Sequence, residues 1–423
     1  MRRVHSILAH RWTVSLAVLG LTALLAGCGV SAHARATTTT TNSPTATRPA
    51  LSHLDWQPMN MPPQASVTPY TLGFAPSDGD VVYACTVDAH ASSQQLHLWI
   101  TRDRSAHWTH LTDLTVHAGS TTCGITVDEW QPMTAVVAVN WAPMGASPEV
   151  SSFASYATLD GGTSWRQLTG PHPYIVRQLA TMAGVTYAEL SILPASGEVD
   201  EIASSADGLR TWQPLPQTQS FGVGEDSSGF WLDPKNGALL VEGMTAAGVV
   251  LWRSDDRGTH WTALSTPASL TDPSVTVVVQ MPQAGTWHLC IATSPDNGRT
   301  PSNSLTCSLD GGETWTPRPG LSVAFSNSVK GTFYATAAMF ALDDAGAVLA
   351  TITLPDVTNS TLGTSFYRLS PQARQWQRIG GFSGEAFPVG MYPTPSGEVL
   401  WADGEPVIGE SSQTQGWHFA PYP

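Results

Sequence analysis

Short apolar runs bounded by Gly, Pro, Asp and Asn recur from about residue 66 to the end of the chain, and the period of that pattern predicts strands. Val81–Val87 (VVYACTV), Leu96–Thr101 (LHLWIT) and Trp108–Leu111 (WTHL) are three such runs in close succession. Each is four to seven residues long and rich in β-branched and aromatic side chains, as a half-buried strand requires. A second phrase recurs upstream of them, an apolar run, then Pro, Gly or Asp, then another apolar run. It stands as FAPSDGDVVYA from Phe74, WLDPKNGALLV from Trp231, MPQAGTWHLC from Met281, FALDDAGAVLA from Phe340 and YPTPSGEVLWA from Tyr392. The pattern predicts an inner strand, a turn, a second strand, a loop, a third strand, a polar turn and a fourth strand in every unit.

That polar turn is an eight-residue frame, Ser/Thr-x-Asp-x-Gly-x-Ser/Thr-Trp, clearest at 308–315 (SLDGGETW) and 158–165 (TLDGGTSW). It reappears as 205–212 (SADGLRTW), 254–261 (SDDRGTHW) and, more loosely, 101–108 (TRDRSAHW). Asp103, Asp160, Asp207, Asp256 and Asp310 are short carboxylates suited to accept backbone N–H bonds a few residues on. Gly162, Gly258 and Gly312 allow positive φ. Trp108, Trp165, Trp212, Trp261 and Trp315 are expected to bury their rings beneath the turn. Two further segments, ending at Trp376 and Trp417, keep the Trp and the flanking strands but not the Asp. Successive Trp residues lie 41 to 61 positions apart, the period of a unit that cannot bury its apolar face alone. Four antiparallel strands repeated radially make an all-β fold, a β-propeller, with seven blades expected and six as the alternative.

The frames resemble the Asp-box (bacterial neuraminidase) repeats of the sialidase-like β-propeller superfamily, over residues 66–423. In that superfamily the repeat is a structural turn found in enzymes and non-enzymes alike, so the resemblance implies the fold and leaves the chemistry to be argued from the site. Its working sialidases hold the substrate carboxylate with three converging arginines, and they use a Tyr nucleophile with a Glu partner and an Asp acid/base. The early Arg-Ile-Pro motif of those enzymes is missing here, since the first strand reads VTPYTLGF (Val67 to Phe74). Most arginines of the propeller lie in or beside the frames, and outside frames and tether only Arg177 and Arg299 remain. A three-arginine clamp is therefore not expected, and no catalytic residue is assigned.

The chain opens with Arg2, Arg3 and Arg11, continues with an apolar stretch from Thr13 to Leu25, and reaches Leu25-Ala26-Gly27-Cys28. The order of charge, apolar core and small residues predicts a signal peptide over 1–27. Its ending resembles the lipobox of bacterial lipoproteins, which implies cleavage before Cys28 and attachment of diacylglyceryl to its sulfur. Residues 28–65 are rich in Thr, Pro and Ala and read as a tether to the membrane; the propeller is expected over 66–423. Removal of the signal leaves 16 basic against 33 acidic residues, a net of −17, which speaks against nucleic acid as a partner. In such a compartment the remaining even set of Cys is expected to pair, Cys85 with Cys123 between neighbouring blades and Cys290 with Cys307 across two strands.

No metal or cofactor signature is found: HExxH, phosphate-loop, GxSxG and EF-hand strings are missing. His107 and His260 occupy the Ser/Thr slot of their frames, where a turn hydrogen bond is the expected role. His107 and His110, three apart on one short strand, are expected on opposite faces. If the Asp turns mark one end of every blade, loops at the other end form the ligand face. Topology places Asp88, Trp141, Tyr174, Arg177, Asp296, Arg299, Trp401 and Asp403 there. The expected function is that of a monomeric, lipid-anchored, extracytoplasmic module binding an unidentified protein or glycan without catalysis. A carbohydrate-active hydrolase of unfamiliar pattern is the alternative, and an assembly factor resembling the photosystem assembly propellers comes third.

Overall fold

Strands β2 (Tyr70–Ala75), β3 (Asp78–Asp88), β4 (Gln95–Thr101) and β5 (Thr109–Thr115) pair in chain order, each antiparallel to its neighbour. The arrangement recurs in β6 (Ser120–Val127), β7 (Ala135–Ala142), β8 (Ser152–Thr158) and β9 (Arg166–Leu168), and in β10 (Tyr174–Met182), β11 (Val185–Ile192), β12 (Val199–Ser205) and β13 (Gln213–Pro214). It continues in β14 (Phe230–Leu232), β15 (Leu239–Thr245), β16 (Gly248–Ser254) and β17 (Thr262–Ala263), then in β18 (Val275–Gln280), β19 (His288–Thr293), β20 (Ser304–Ser308) and β21 (Thr316–Arg318). A two-stranded hairpin of β22 (Ser322–Asn327) and β23 (Gly331–Thr336), absent from the expected unit, precedes a sheet of β24 (Met339–Leu342), β25 (Val348–Pro355), β26 (Leu362–Leu369) and β27 (Gln377–Ser383). The structure is a computed structural model. It describes residues 57–421 other than 61, 64–69, 76, 89–94, 116–119, 143–151, 171–173, 193–198, 222–228, 246–247, 267–274, 281–286, 294–303, 328–330, 337–338, 344, 356–361, 384–386, 394–397 and 406–412.

The last sheet shows how the ring closes. Its strands β28 (Phe387–Pro393), β29 (Glu398–Glu405) and β30 (Gln413–Pro421) are completed by β1 (Gln57–Pro58), which pairs Gln57 with Phe419 and Pro58 with His418. With it the described residues form seven four-stranded antiparallel sheets, a β-propeller. Two expectations are corrected here. The propeller begins by residue 57, inside the stretch assigned to the tether, because the edge of β30 needs a covering strand. Trp417 lies within the third strand of its sheet and does not open a fourth. Beyond β1, the Asn60 amide donates to Ser105 Oγ at 2.7 Å and its carbonyl accepts from Trp108 Nε1 at 2.9 Å, so the closing strand is tied to the polar turn of the first sheet.

The five Asp turns share one bonding scheme. Asp310 Oδ1 accepts from the Thr314 amide at 2.9 Å and from Ser308 Oγ at 2.7 Å, while Ser308 Oγ accepts from the Gly312 amide at 2.8 Å. Asp160, Asp207, Asp256 and Asp103 repeat it with their own neighbours. In the expected Ser/Thr slot, His107 and His260 bond the carboxylate through Nδ1 at 2.7 and 2.6 Å. The frame tryptophans are half-buried and not sunk beneath the turn. Trp212, for one, packs its ring beside Leu168, Leu209 and Tyr174.

These turns also join sheet to sheet. Gly162 has φ +85°, and a Cβ there would meet Leu111 Cδ1 at 2.3 Å; at Gly312, φ +91°, it would meet Leu264 Cδ1 at 2.8 Å. The Leu three residues after one frame's Trp thus fills the space that glycine leaves in the next frame. Arginines beside the frames bridge the same junctions: Arg102 donates to the Gly161 carbonyl at 3.1 Å, Arg166 to that of Gly208, and Arg318 to those of Ser370 and Pro371. Nearer the axis, Thr71 Oγ1 donates to the Cys123 carbonyl and Thr126 Oγ1 to that of Val176, each at 2.7 Å, linking successive inner strands. Apolar clusters fill the gaps between sheets, such as Leu179, Ala188 and Leu190 with Val136 and Ala157.

Both expected disulfides are present. Cys85–Cys123 joins β3 to β6, and Cys290–Cys307 joins directly opposed residues of β19 and β20. The Gly161 amide donates to the Met133 carbonyl at 2.8 Å and the Gly311 amide to that of Trp287 at 3.0 Å. Asp turns and first-hairpin turns therefore share one end of the sheets, and the loops between second and third strands lie at the other.

Candidate functional site

The third sheet holds a cluster of charged groups that does not serve the Asp turns. A register shift between Val176 and Gln178 sets Arg177 in a bulge of β10, and a bulge re-aims the side chain it carries. Arg177 Nη1 lies 4.0 Å from Glu189 Oε1 on β11, and Nη2 lies 3.5 Å from Asp200 Oδ1 on β12 and 3.4 Å from Ser191 Oγ. Next to it, Gln178 Nε2 donates to Glu129 Oε1 at 2.8 Å and to the Phe230 carbonyl at 2.5 Å. The cluster thus links the turn end of the second sheet, the third sheet and the inner strand of the fourth.

These acids are deep. Glu189 is 1 % exposed and Asp200 and Glu201 are 7 % exposed; on β15 of the fourth sheet, Glu242 is 9 % exposed. Burial pushes the Glu242 carboxyl up to about 8, and the nearby charge of Glu189 adds to the rise. Glu242 is accordingly protonated at neutral pH. A pair of neighbouring carboxyl groups is what acid/base chemistry on a glycoside needs, but with Glu189 1 % and Glu242 9 % exposed a sugar does not reach either one. Sequence reasoning missed Glu189 and Glu242, since each sits inside an apolar run that reads as plain strand, and Asp200, which lies in the acidic stretch Glu198-Val199-Asp200-Glu201 and reads as exposed.

Of the expected ligand face, Tyr174 and Arg177 have described side chains. Tyr174 is 9 % exposed and packs between the second and third sheets, where its hydroxyl accepts from Trp212 Nε1 at 3.2 Å, so it braces the fold. Arg177 turns to the acids of its own sheet. Asp88 ends β3, Trp141 lies on β7, and Trp401 and Asp403 lie on β29; Asp296 and Arg299 fall outside the described residues. The structure therefore brings one of the eight, Arg177, into a charged cluster. Trp130, Trp231 and Trp287 pack in or against the apolar clusters beside the fourth sheet.

A second polar cluster lies on the first sheet. His97 Nδ1 is 2.6 Å from Asp113 Oδ1, and His110 Nε2 is 2.7 Å from the same oxygen. His107 is part of the Asp turn and precedes β5, so its expected place on a strand with His110 is corrected.

No protein-family model matches the chain, and no curated protein matches it. Among solved structures it is similar to a GH74 xyloglucanase from Xanthomonas campestris, with 17 % identity and a TM-score of 0.41, over 79 % of this chain and 50 % of that one. The β-propeller domain of the trilobed protease from Pyrococcus furiosus aligns with 10 % identity and a TM-score of 0.45, over 83 % of this chain and 93 % of that one. An intramolecular trans-sialidase from Ruminococcus gnavus aligns with 14 % identity and a TM-score of 0.35, over 83 % and 94 % of the two chains. The chain spans half the length of the xyloglucanase it matches.

Proposed function

We propose that this protein is an exported β-propeller, anchored by a lipid on Cys28, that binds a protein or glycan at the end opposite its Asp turns and performs no chemistry on it. One observation carries the reading. Arg177, the cation described on that part of the scaffold, faces Glu189 and Asp200 inside its own sheet, so it is engaged where a substrate carboxylate would need it. Arg102, Arg166 and Arg318 bridge neighbouring turns at the opposite end. The two disulfides support an oxidising, extracytoplasmic location. Loops on a rigid closed scaffold are the usual place for partner recognition.

A hydrolase acting on carbohydrate is the second reading, favoured by the buried Glu242 beside Glu189. A panel of fluorogenic glycosides, sialosides included, separates the two. The full chain is expected to release no fluorophore above buffer, and turnover abolished by Glu189→Gln would replace the first reading with the second. Anchoring is tested separately: Cys28→Ser should move the protein from the membrane fraction to the soluble exported fraction, and unchanged membrane retention would remove the lipid from the account.

A further inference from the structure

The polar cluster of the first sheet owes its geometry to an irregularity in the outermost strand. His110 and Asp113 are three apart on β5, and in a regular strand they would point to opposite faces. The register pairs His97 with Asp113 and Leu98 with Thr112, then shifts to pair Trp99 with His110, so Leu111 is the extra residue of a bulge. The bulge turns His110 back to the face of His97 and Asp113. Leu96 and Leu98 point the other way, into the cluster shared with Cys123 and Val137 of the second sheet.

We propose that His97, His110 and Asp113 form a binding site for a divalent transition-metal ion, zinc foremost. One ligand atom from each of the three residues lies within 4.8 Å of the other two. Both imidazole nitrogens already aim at one carboxylate oxygen, 2.6 and 2.7 Å away. Four-coordinate zinc sets its nitrogen and oxygen ligands about 3.3 Å apart, so the carboxylate needs to draw back by only about 0.7 Å to admit the ion. Two imidazoles and a carboxylate select zinc and its neighbours over calcium or magnesium, which prefer all-oxygen shells.

The surroundings favour a site over a plain hydrogen-bonded surface patch. Trp99 packs edge-on to the His110 ring with centroids 4.8 Å apart and donates from Nε1 to Thr86 Oγ1 at 3.3 Å, which fixes the ring that fixes the imidazole. The His97 side chain is 12 % exposed, whereas those of His110 and Asp113 are 41 % and 42 % exposed. One ligand is thus set into the sheet and two reach solvent, leaving the remaining coordination position to water. Protection of the strand edge accounts for a bulge but not for two imidazoles converging on one oxygen.

The test is titration calorimetry of the metal-stripped full chain, made without a polyhistidine tag, with zinc chloride as the probe. One equivalent is expected to bind, with affinity reduced about tenfold or more by His110→Ala and by Asp113→Ala. Both positions are exposed, so the variants should keep the wild-type circular dichroism. Cobalt(II) gives a second readout: visible d–d bands in the wild type, lost in both variants. Absence of saturable zinc binding by the wild type, or equal binding by wild type and both variants, would overturn the proposal.

Discussion

Truncating Arg177 to Ala is expected to lower the unfolding free energy by about 3–5 kcal/mol, the usual effect of removing one partner of a buried ion pair. The guanidinium is itself largely covered, with 23 % of its side chain exposed, and the acids it faces, Glu189 and Asp200, have side chains 2 % exposed. Attraction across so little water is strong, and the loss arises less from that attraction than from leaving carboxylates in a dry site. Glu189→Gln removes one of those charges beforehand, so the loss caused by Arg177→Ala should shrink by about 1–3 kcal/mol in that background. Urea unfolding of the four proteins at pH 7 measures both effects. A loss below about 1 kcal/mol, the same in both backgrounds, would mean that the pair behaves as a surface one. It would also leave Arg177 available to a substrate carboxylate and weaken the reading that the protein performs no chemistry.

The fold was legible in the sequence because the frame states its own chemistry. Ser308, Asp310, Gly312 and Thr314 each serve one bond or one dihedral angle, and the four further frames repeat the bonds, with Ser105 and Leu209 at positive φ in the glycine slot of two and His107 and His260 in the Thr slot of two. Disulfide placement followed, since Cys85 and Cys123 fall on the strands that the frames assign to adjacent blades. The closing strand was not read, although Trp56-Gln57-Pro58 repeats the Trp212-Gln213-Pro214 that opens β13. Two residues far from the other frames carry no period, and pairing across the whole chain leaves no local trace.

The charged clusters were hidden for a different reason. Strand reading assigns faces by counting in twos, and a single bulge reverses the count for everything beyond it. The bulge at Arg177 and the one at Leu111 contain neither Gly nor Pro, so nothing in the local sequence announces them. A count in twos sets His110 and Asp113 on opposite faces, and the bulge between them brings them together. Glu242 is hidden otherwise, in the run LLVEGM of β15, where one acid among apolar neighbours looks like an exposed position. Its burial becomes evident once the fourth sheet is packed between its neighbours.

That burial predicts the pH dependence of the fold. The Glu242 carboxyl titrates near 8 in the folded chain against an ordinary 4.5, first because it is desolvated and then because Glu189 lies near. A raised carboxyl binds its proton more tightly when folded, so the stability it permits is complete below pH 4.5 and is lost as the pH rises through 8. At 1.36 kcal/mol per unit, the decline between pH 5 and pH 9 amounts to about 4 kcal/mol. Glu242→Gln has no proton to lose. Its buried amide shifts the whole curve by a constant, and the decline above pH 5 should flatten in urea unfolding at pH 5, 7 and 9. The acid side has the opposite sign. Hydrogen bonds from the His107, His260 and Thr314 frame positions hold Asp103, Asp256 and Asp310 down at about 2, below the ordinary 3.8. Their contribution is present above pH 4 and is lost as the pH falls toward 2, in wild type and Glu242→Gln alike. The wild type should therefore show a stability maximum between those limbs, and the variant a plateau that persists to alkaline pH. An unchanged decline between pH 5 and pH 8 in Glu242→Gln would place the titrating group elsewhere.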